Sequence, residues 1–228
     1  MTSASNEPGA RGGSTRFYLQ GERCAVIHSD APASLACQRR IWWLAEKLVA
    51  GGRFLDVVPG MNNLGVVFDP QRESADTVLA DLRRLWRGAS AKTPARREVH
   101  IPVEYGGEAG PDLAEAARLV GMKPARLVKA HSSAEYTVFF LGFQPGFAYM
   151  GGLPPELEMP RRTEPRLAVP AGSVGIGGEQ TGIYPAQSPG GWQLIGRTSL
   201  SLFDPGREQP SLLLPGDTVR FVAERVHA

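Results

Sequence analysis

The 228 residues predict an α+β protein: a ferredoxin-like first domain, then a mostly β second domain of barrel or sandwich type. Two observations carry this prediction. Up to about residue 95 the chain alternates strand-like runs with helical patterns in the order strand, helix, strand, strand, helix, strand, the split βαβ pattern. Residues 142–216 then hold about half of the 27 glycines and more than half of the 19 prolines. That density forbids long helices and favours short strands joined by tight turns.

Taken in order, MTSASNEPGARGGS has too little apolar content to order itself, so residues 1–14 are expected to form a floppy tail. RFYLQGERCAVIHS (16–29) reads as strand, turn, strand, broken at Gly21. Residues 33–50 place Leu35, Trp42, Ala45, Leu48 and Val49 at helical spacing and stop at Gly51–Gly52. FLDVVPGMNNLGVVFDP reads as two short strands about a Pro59–Gly60 turn. In SADTVLADLRRLWR, Ser74 is a natural N-cap, and Val78, Leu79, Leu82, Leu85 and Trp86 share one face. REVHIPVEY supplies a further strand, closing the first domain or opening the second; the domains are set at 15–95 and 96–228. PDLAEAARLVG and KPARLVKAH follow as short helices about Gly121. EYTVFFLG alternates as a strand, and LLLPGDTVRFV is a turn feeding a final strand.

Composition excludes several function classes. Hydrophobic residues are 42% and charged residues 21%, an ordinary balance for a soluble protein. The net charge is +2 and basic residues cluster only in pairs, so nucleic acid is not an expected partner. No apolar run approaches the ~20 residues that cross a bilayer, and the N-terminus has no secretory apolar core. Cys24 and Cys37 form no redox or zinc spacing. The expected setting is cytoplasmic, with no membrane partner.

Glycine-rich VGIGGEQTG (174–182) places Gln180 where a dinucleotide loop needs its third glycine, and no helix follows. Its glycines are expected to be turns between strands. Ser173 sits in an A-x-S-x-G pattern without a following helix, so it is expected in a turn and not as a nucleophile. His28, His100, His131 and His227 show no metal-ligand grouping, and no metal site is predicted. His131 ends a helix near the aromatic stretch. It reads equally as a cap on the helix dipole or as a proton-transfer group. Glu104, Glu108 and Asp112 surround the Tyr105–Gly106–Gly107 turn, where carboxylates could orient an amide or hold Mg²⁺.

The run FLGFQPGFAYMGG (140–152) is expected to be a strand to about Leu141 and then an aromatic pocket loop with Phe143, Phe147 and Tyr149 as walls. Gln180, Thr181, Tyr184 and Trp192, threaded between glycines, suit the rim of a small-molecule pocket. Arg197 could clamp a carboxylate there or be an ordinary surface residue.

VEYGGEAGPDL, EYTVFFLGFQPGFAYMGGLP, PRRTEPR, VPAGSVGIGGEQTGIYPAQSPGGWQLIGRT, LFDP and LLLPGDTVRF, in that order, with VVPGMNNLGVVFDP before them, resemble one family. It is that of the B subunit of bacterial 5-oxoprolinase, also called allophanate hydrolase subunit 1 or the KipI family. The resemblance covers about residues 40–222. It implies a ferredoxin-like domain joined to a cyclophilin-like β-barrel. It also implies ATP-dependent opening of 5-oxo-L-proline to L-glutamate with an A subunit and a KipA-like C subunit. ATP with Mg²⁺ would be a substrate shared with a partner, with no tightly bound cofactor. In that picture His131, Glu104 and Arg197 are catalytic, and Tyr105, Glu108, Asp112, Phe143, Phe147, Gln180, Thr181, Tyr184 and Trp192 bind substrate or ATP. Two further roles occur among relatives: inhibition of a sensor histidine kinase, and a carboxyltransferase-like module of urea carboxylase and allophanate hydrolase. Ala148 stands where the family more often has proline, and Glu179 where glycine is frequent. The loop is then less rigid, and a charge is added beside the expected pocket.

Overall fold

The computed structural model describes residues 5–8, 14–91 and 97–227. The chain folds as two compact units, Met1–Ala95 and Arg96–Ala228. Among the described residues no helix is long and apolar enough to cross a membrane.

The first unit is one antiparallel sheet with two helices. Its elements are β1 (Ser5–Pro8), β2 (Ser14–Gln20), β3 (Cys24–Ser29), α1 (Leu35–Ala50), β4 (Asp56–Gly60), β5 (Asn63–Val67) and α2 (Ala75–Arg87), in sheet order β1-β2-β3-β5-β4. Most of the expected tail lies outside the described residues, yet β1 falls within it and pairs with Ser14–Phe17. Backbone pairing there needs no apolar side chains. Each helix starts where the sequence offers a serine hydroxyl: Ser34 accepts from the Cys37 N–H at 3.2 Å, and Ser74 from that of Thr77 at 3.2 Å. Their apolar faces bury Ile41, Leu44, Leu48, Val78, Leu82 and Trp86 against Phe17, Ile27, Leu64 and Val66 of the sheet. Val49, expected on that face, is exposed.

The β4–β5 turn is not at Pro59–Gly60. Both residues stay in register with Leu64 and Asn63, and the chain reverses at Met61–Asn62. Asn62 takes the left-handed conformation, φ 54°, which asparagine tolerates better than most residues. The buried Gln38 side chain ties this turn to α1, donating to the Gly60 carbonyl at 3.1 Å and accepting from the Asn62 N–H at 3.3 Å. The strand after α2 does not close this sheet. The edge of β3 is already taken by β2, its hairpin partner.

The second unit comprises β6 (Glu98–Gly106), α3 (Leu113–Leu119), α4 (Pro124–Ser133), β7 (Tyr136–Leu141), β8 (Ala148–Gly151), β9 (Arg166–Val169), β10 (Ser173–Gly177), β11 (Gln180–Ile183), β12 (Ser188–Gly190), β13 (Gln193–Arg197) and β14 (Thr218–His227). Seven strands close a barrel in the order β10-β11-β8-β7-β14-β6-β13, and β9 and β12 form a separate ribbon. Here β6 finds its partner, a parallel ladder with β14 along its whole length. The barrel core holds Ile101, Val103, Tyr136, Val138, Met150, Val174, Ile176, Ile195 and Phe221, and the helices add Leu113, Ala116, Leu127 and Val128.

Ser173 is not in a turn but opens the buried strand β10. The turn itself is at Gly178, φ 65°. The aromatic stretch is strand to Leu141, as expected. Its loop is shorter than expected, because Ala148–Gly151 returns as β8 and pairs with β7, placing Tyr149 opposite Phe140.

Candidate functional site

Strand β11 divides the chemistry of the barrel unit, since successive side chains point to opposite faces. Thr181 and Ile183 belong to the interior, whereas a Cβ on Gly182 would lie 3.1 Å from the Trp192 ring and 3.2 Å from that of Phe147. On this second side Phe147, Val169, Tyr184, Trp192 and Leu194 form a small apolar cluster separate from the barrel core.

Above that cluster opens a pocket of about 210 Å³, lined by Phe143, Phe147, Tyr149, Tyr184, Trp192 and the arginines Arg161 and Arg162, with Pro165, Pro189, Gly190 and Gly191 completing the wall. The aromatic rings meet mostly edge to face: Phe147 and Trp192 centroids are 5.7 Å apart, and Phe143 and Phe147 5.3 Å. Glycines make this packing possible. A Cβ on Gly177 would lie 2.5 Å from Trp192 Cδ1, and one on Gly190 2.5 Å from the Tyr184 hydroxyl. Burial raises the Tyr184 phenol above its ordinary value of 10.0.

Phe143 is the strained member. It is a bulky residue at φ 66° and remains 59% exposed at the pocket edge. Backbone bonds hold the loop: the Gly142 N–H donates to the Phe147 carbonyl at 3.1 Å, and the Phe147 N–H to the Gln144 carbonyl at 3.0 Å. Strain kept in place this way is the sort that accumulates at binding sites.

The polar side of the pocket rests on Asp112. This carboxylate is 5% exposed and accepts from Arg166 Nη2 at 2.6 Å, Arg162 Nη1 at 3.3 Å and the Leu194 N–H at 2.7 Å. The Arg162 backbone N–H also donates to the Gly191 carbonyl at 2.7 Å, joining the arginine segment to the ribbon side of the pocket. Arg162 Nε and Arg166 Nη1 are buried without a hydrogen-bond partner. Arg161 lies over the Trp192 ring, 5.9 Å from its centroid, and makes no ion pair among the described residues.

The remaining expected site residues lie elsewhere. His131 is fully buried, and its two ring nitrogens are taken by the Tyr105 hydroxyl (Nδ1, 2.8 Å) and Thr181 Oγ1 (Nε2, 2.9 Å). Thr181 donates its hydroxyl proton to the Gly175 carbonyl at 3.0 Å, so it accepts from His131 Nε2–H, and Nδ1 accepts from Tyr105. Burial holds the imidazole near pKa 3, down from the ordinary 6.5, and the ring stays neutral. A neutral ring sealed among Tyr105, Tyr136 and Phe221 has no route to a substrate proton. The structure thus places His131, Tyr105 and Thr181 together in the barrel interior, apart from the residues that line the pocket.

Glu104, Glu108 and Asp112 do not converge. Glu104 faces His227 at 2.8 Å, Glu108 is exposed, and Asp112 is committed to its arginines. Among the described residues no group of three His, Cys, Asp or Glu side chains could hold a metal ion. These residues do not fit a Mg²⁺ site, and none is assigned to them. Arg197 is exposed where β13 runs beside Glu104 and Ser173, and Gln180 is half-buried opposite Gly177; neither lines the pocket. Phe143, Phe147, Tyr184 and Trp192 are brought together as expected. Arg161, Arg162 and Arg166 were missed as site residues. The available signal was three arginines in PRRTEPR, a segment with prolines at both ends of its charged run.

A family model described as the carboxyltransferase domain, subdomain C and D, matches residues 15–213. The chain is 53% identical over 210 residues to the B subunit of 5-oxoprolinase from Escherichia coli O157:H7, covering 92% of this chain and 96% of that one. Among solved structures, TTHA0988 has a TM-score of 0.77 at 39% identity, covering 88% of this chain and 40% of that one. The K. lactis urea amidolyase has a TM-score of 0.78 at 19% identity, covering 98% of this chain and 16% of that one, a likeness of fold alone. This chain spans less than half the length of either structure.

Proposed function

The chain belongs to the family of 5-oxoprolinase B subunits, with the carboxyltransferase domain, subdomains C and D, and from that premise we propose that it is one component of an ATP-dependent 5-oxoprolinase. It works with an A subunit and a KipA-like C subunit in the cytoplasm and opens 5-oxo-L-proline to L-glutamate. The observation that carries this reading is the pocket: aromatic walls on one side and fixed guanidinium charge on the other.

A lactam is a poor electrophile, and phosphorylation of its oxygen makes the ring carbon a far better one. The aromatic walls would hold the small ring and exclude water. Arg162, fixed by Asp112, would supply positive charge to the phosphoryl group as it passes to the lactam oxygen, where the negative charge lies. At about 210 Å³ the pocket is below the ~300 Å³ at which sites for drug-sized ligands begin. That size suits one small ring, and in this reading most of the nucleotide lies on the partner chain. We also read the barrel as cyclophilin-like, and the first unit as a ferredoxin-like domain in which β2 fills the place of a last strand.

The test is reconstitution: this chain with its A and C subunits, 5-oxoproline and ATP, with glutamate release measured. Turnover that requires all three chains is expected; an assembled complex without turnover defeats the proposal. A second reading, a carboxyltransferase-type module acting on a urea derivative, is favoured by the matching domain family. ATP-dependent consumption of urea by the same complex, without glutamate release from 5-oxoproline, would establish it instead.

A further inference from the structure

The charges around the pocket do not balance. Arg162 and Arg166 share the carboxylate of Asp112, and Arg161 beside them makes no ion pair among the described residues, an excess of two positive charges. Glu164, on the same segment, is exposed and forms no ion pair among the described residues. The three arginines are not equivalent. Arg162 and Arg166 are pinned to Asp112, and their unpartnered nitrogens are buried beneath the surface. Arg161 alone lines the pocket with an uncommitted guanidinium, set over the face of Trp192. An exposed cation–π contact contributes only about 0.5–1 kcal/mol, and among the described residues no carboxylate takes up the N–H fork of Arg161. That fork matches the two oxygens of a carboxylate.

We infer that Arg161 is the specificity-determining residue of the pocket, and that the pocket selects a small ring bearing a carboxylate over the same ring without one. Trp192 supports the guanidinium from below, and Arg162 raises the local positive potential without competing for the ligand, because Asp112 already holds it. The identity of the ring as a lactam rests on the 5-oxoprolinase reading; the preference for a carboxylate does not.

The test compares two ligands by calorimetry on the full chain. They are 5-oxo-L-proline and 2-pyrrolidinone, the same lactam without its carboxylate. The wild-type chain is expected to bind 5-oxoproline about ten- to a hundredfold more tightly, the range of a charge-assisted hydrogen-bonded pair. In Arg161→Ala that ratio falls to about one, with 2-pyrrolidinone affinity and thermal midpoint unchanged. In Arg161→Lys, which keeps the charge but loses the fork, part of the ratio remains. No preference in the wild type, no binding of either ligand, a ratio that survives Arg161→Ala, or an equal loss for both ligands would each overturn the inference. A reconstituted complex that fails to consume 5-oxoproline while the ratio holds removes the enzyme reading and keeps the carboxylate site. Turnover with a ratio indifferent to Arg161 does the reverse.

Discussion

Two polar clusters flank β11, and they differ in how completely their hydrogen bonds are made. On the inner side the run Tyr105 O–H to His131 to Thr181 to the Gly175 carbonyl uses every donor in turn and is wholly buried. On the outer side Arg161 is uncommitted, two guanidinium nitrogens lack partners, and Phe143 is held in a strained conformation. Buried polar groups that satisfy one another specify a core. Of the outer groups, the Arg161 guanidinium lines the aromatic hollow, whereas the two orphaned nitrogens are buried. Satisfaction, more than residue type, separates the inner histidine from the outer arginines.

The largest expected effect is on the inner side. His131→Ala removes a buried ring and orphans the Tyr105 hydroxyl, and should lower unfolding stability by about 3–5 kcal/mol in urea titrations. The pH dependence sharpens this. The folded pKa near 3 lies below the ordinary 6.5, so the unfolded chain takes up this proton first as pH falls. The contribution of His131 is complete above pH 6.5 and declines by up to about 1.4 kcal/mol per pH unit towards pH 3. His131→Phe, which has no titrating ring, should lack this component; identical acid profiles for it and the wild type would break the comparison.

Next in size is Gly177→Ala. The added methyl collides with Trp192, which should cost about 1–3 kcal/mol and weaken ligand binding, whereas Tyr105, His131 and Thr181 stay paired. Loss of binding without any change in the environment of His131, read by NMR, would show that the two sides are separable. The smallest effect belongs to Arg197→Ala. Arg197 is exposed and outside the pocket, so stability should move by less than about 0.5 kcal/mol and turnover of the complex should be unchanged. A large loss of turnover would draw the site towards the β13 edge.

The helices of the first unit were legible because apolar spacing and a preceding serine are local signals, read without knowing what they pack against. The aromatic walls were legible for a similar reason: Phe143, Phe147, Tyr184 and Trp192 stand among glycines and prolines that prevent them from being one long helix face. The Pro59–Gly60 turn was misplaced because ladder register with β5 outweighed local turn preference. Thr181 could not share one site with Tyr184, because strand alternation sends it into the barrel interior, where it meets His131. Arg161–Arg162 resembled any other surface pair, since sequence does not show that Asp112 and Leu194 lie behind them.

By itself the sequence determined the two-part organisation, the Gly- and Pro-rich β texture and the supply of aromatic rings, because these follow from backbone freedom and hydrophobic periodicity along the chain. Only the tertiary structure decided that His131 is sealed and neutral, that Glu104, Glu108 and Asp112 stay apart, and that Arg161 makes no ion pair among the described residues. The physical reason is that protonation and partnership depend on desolvation and on neighbours brought from distant segments, such as Thr181 for His131 and Arg166 for Asp112.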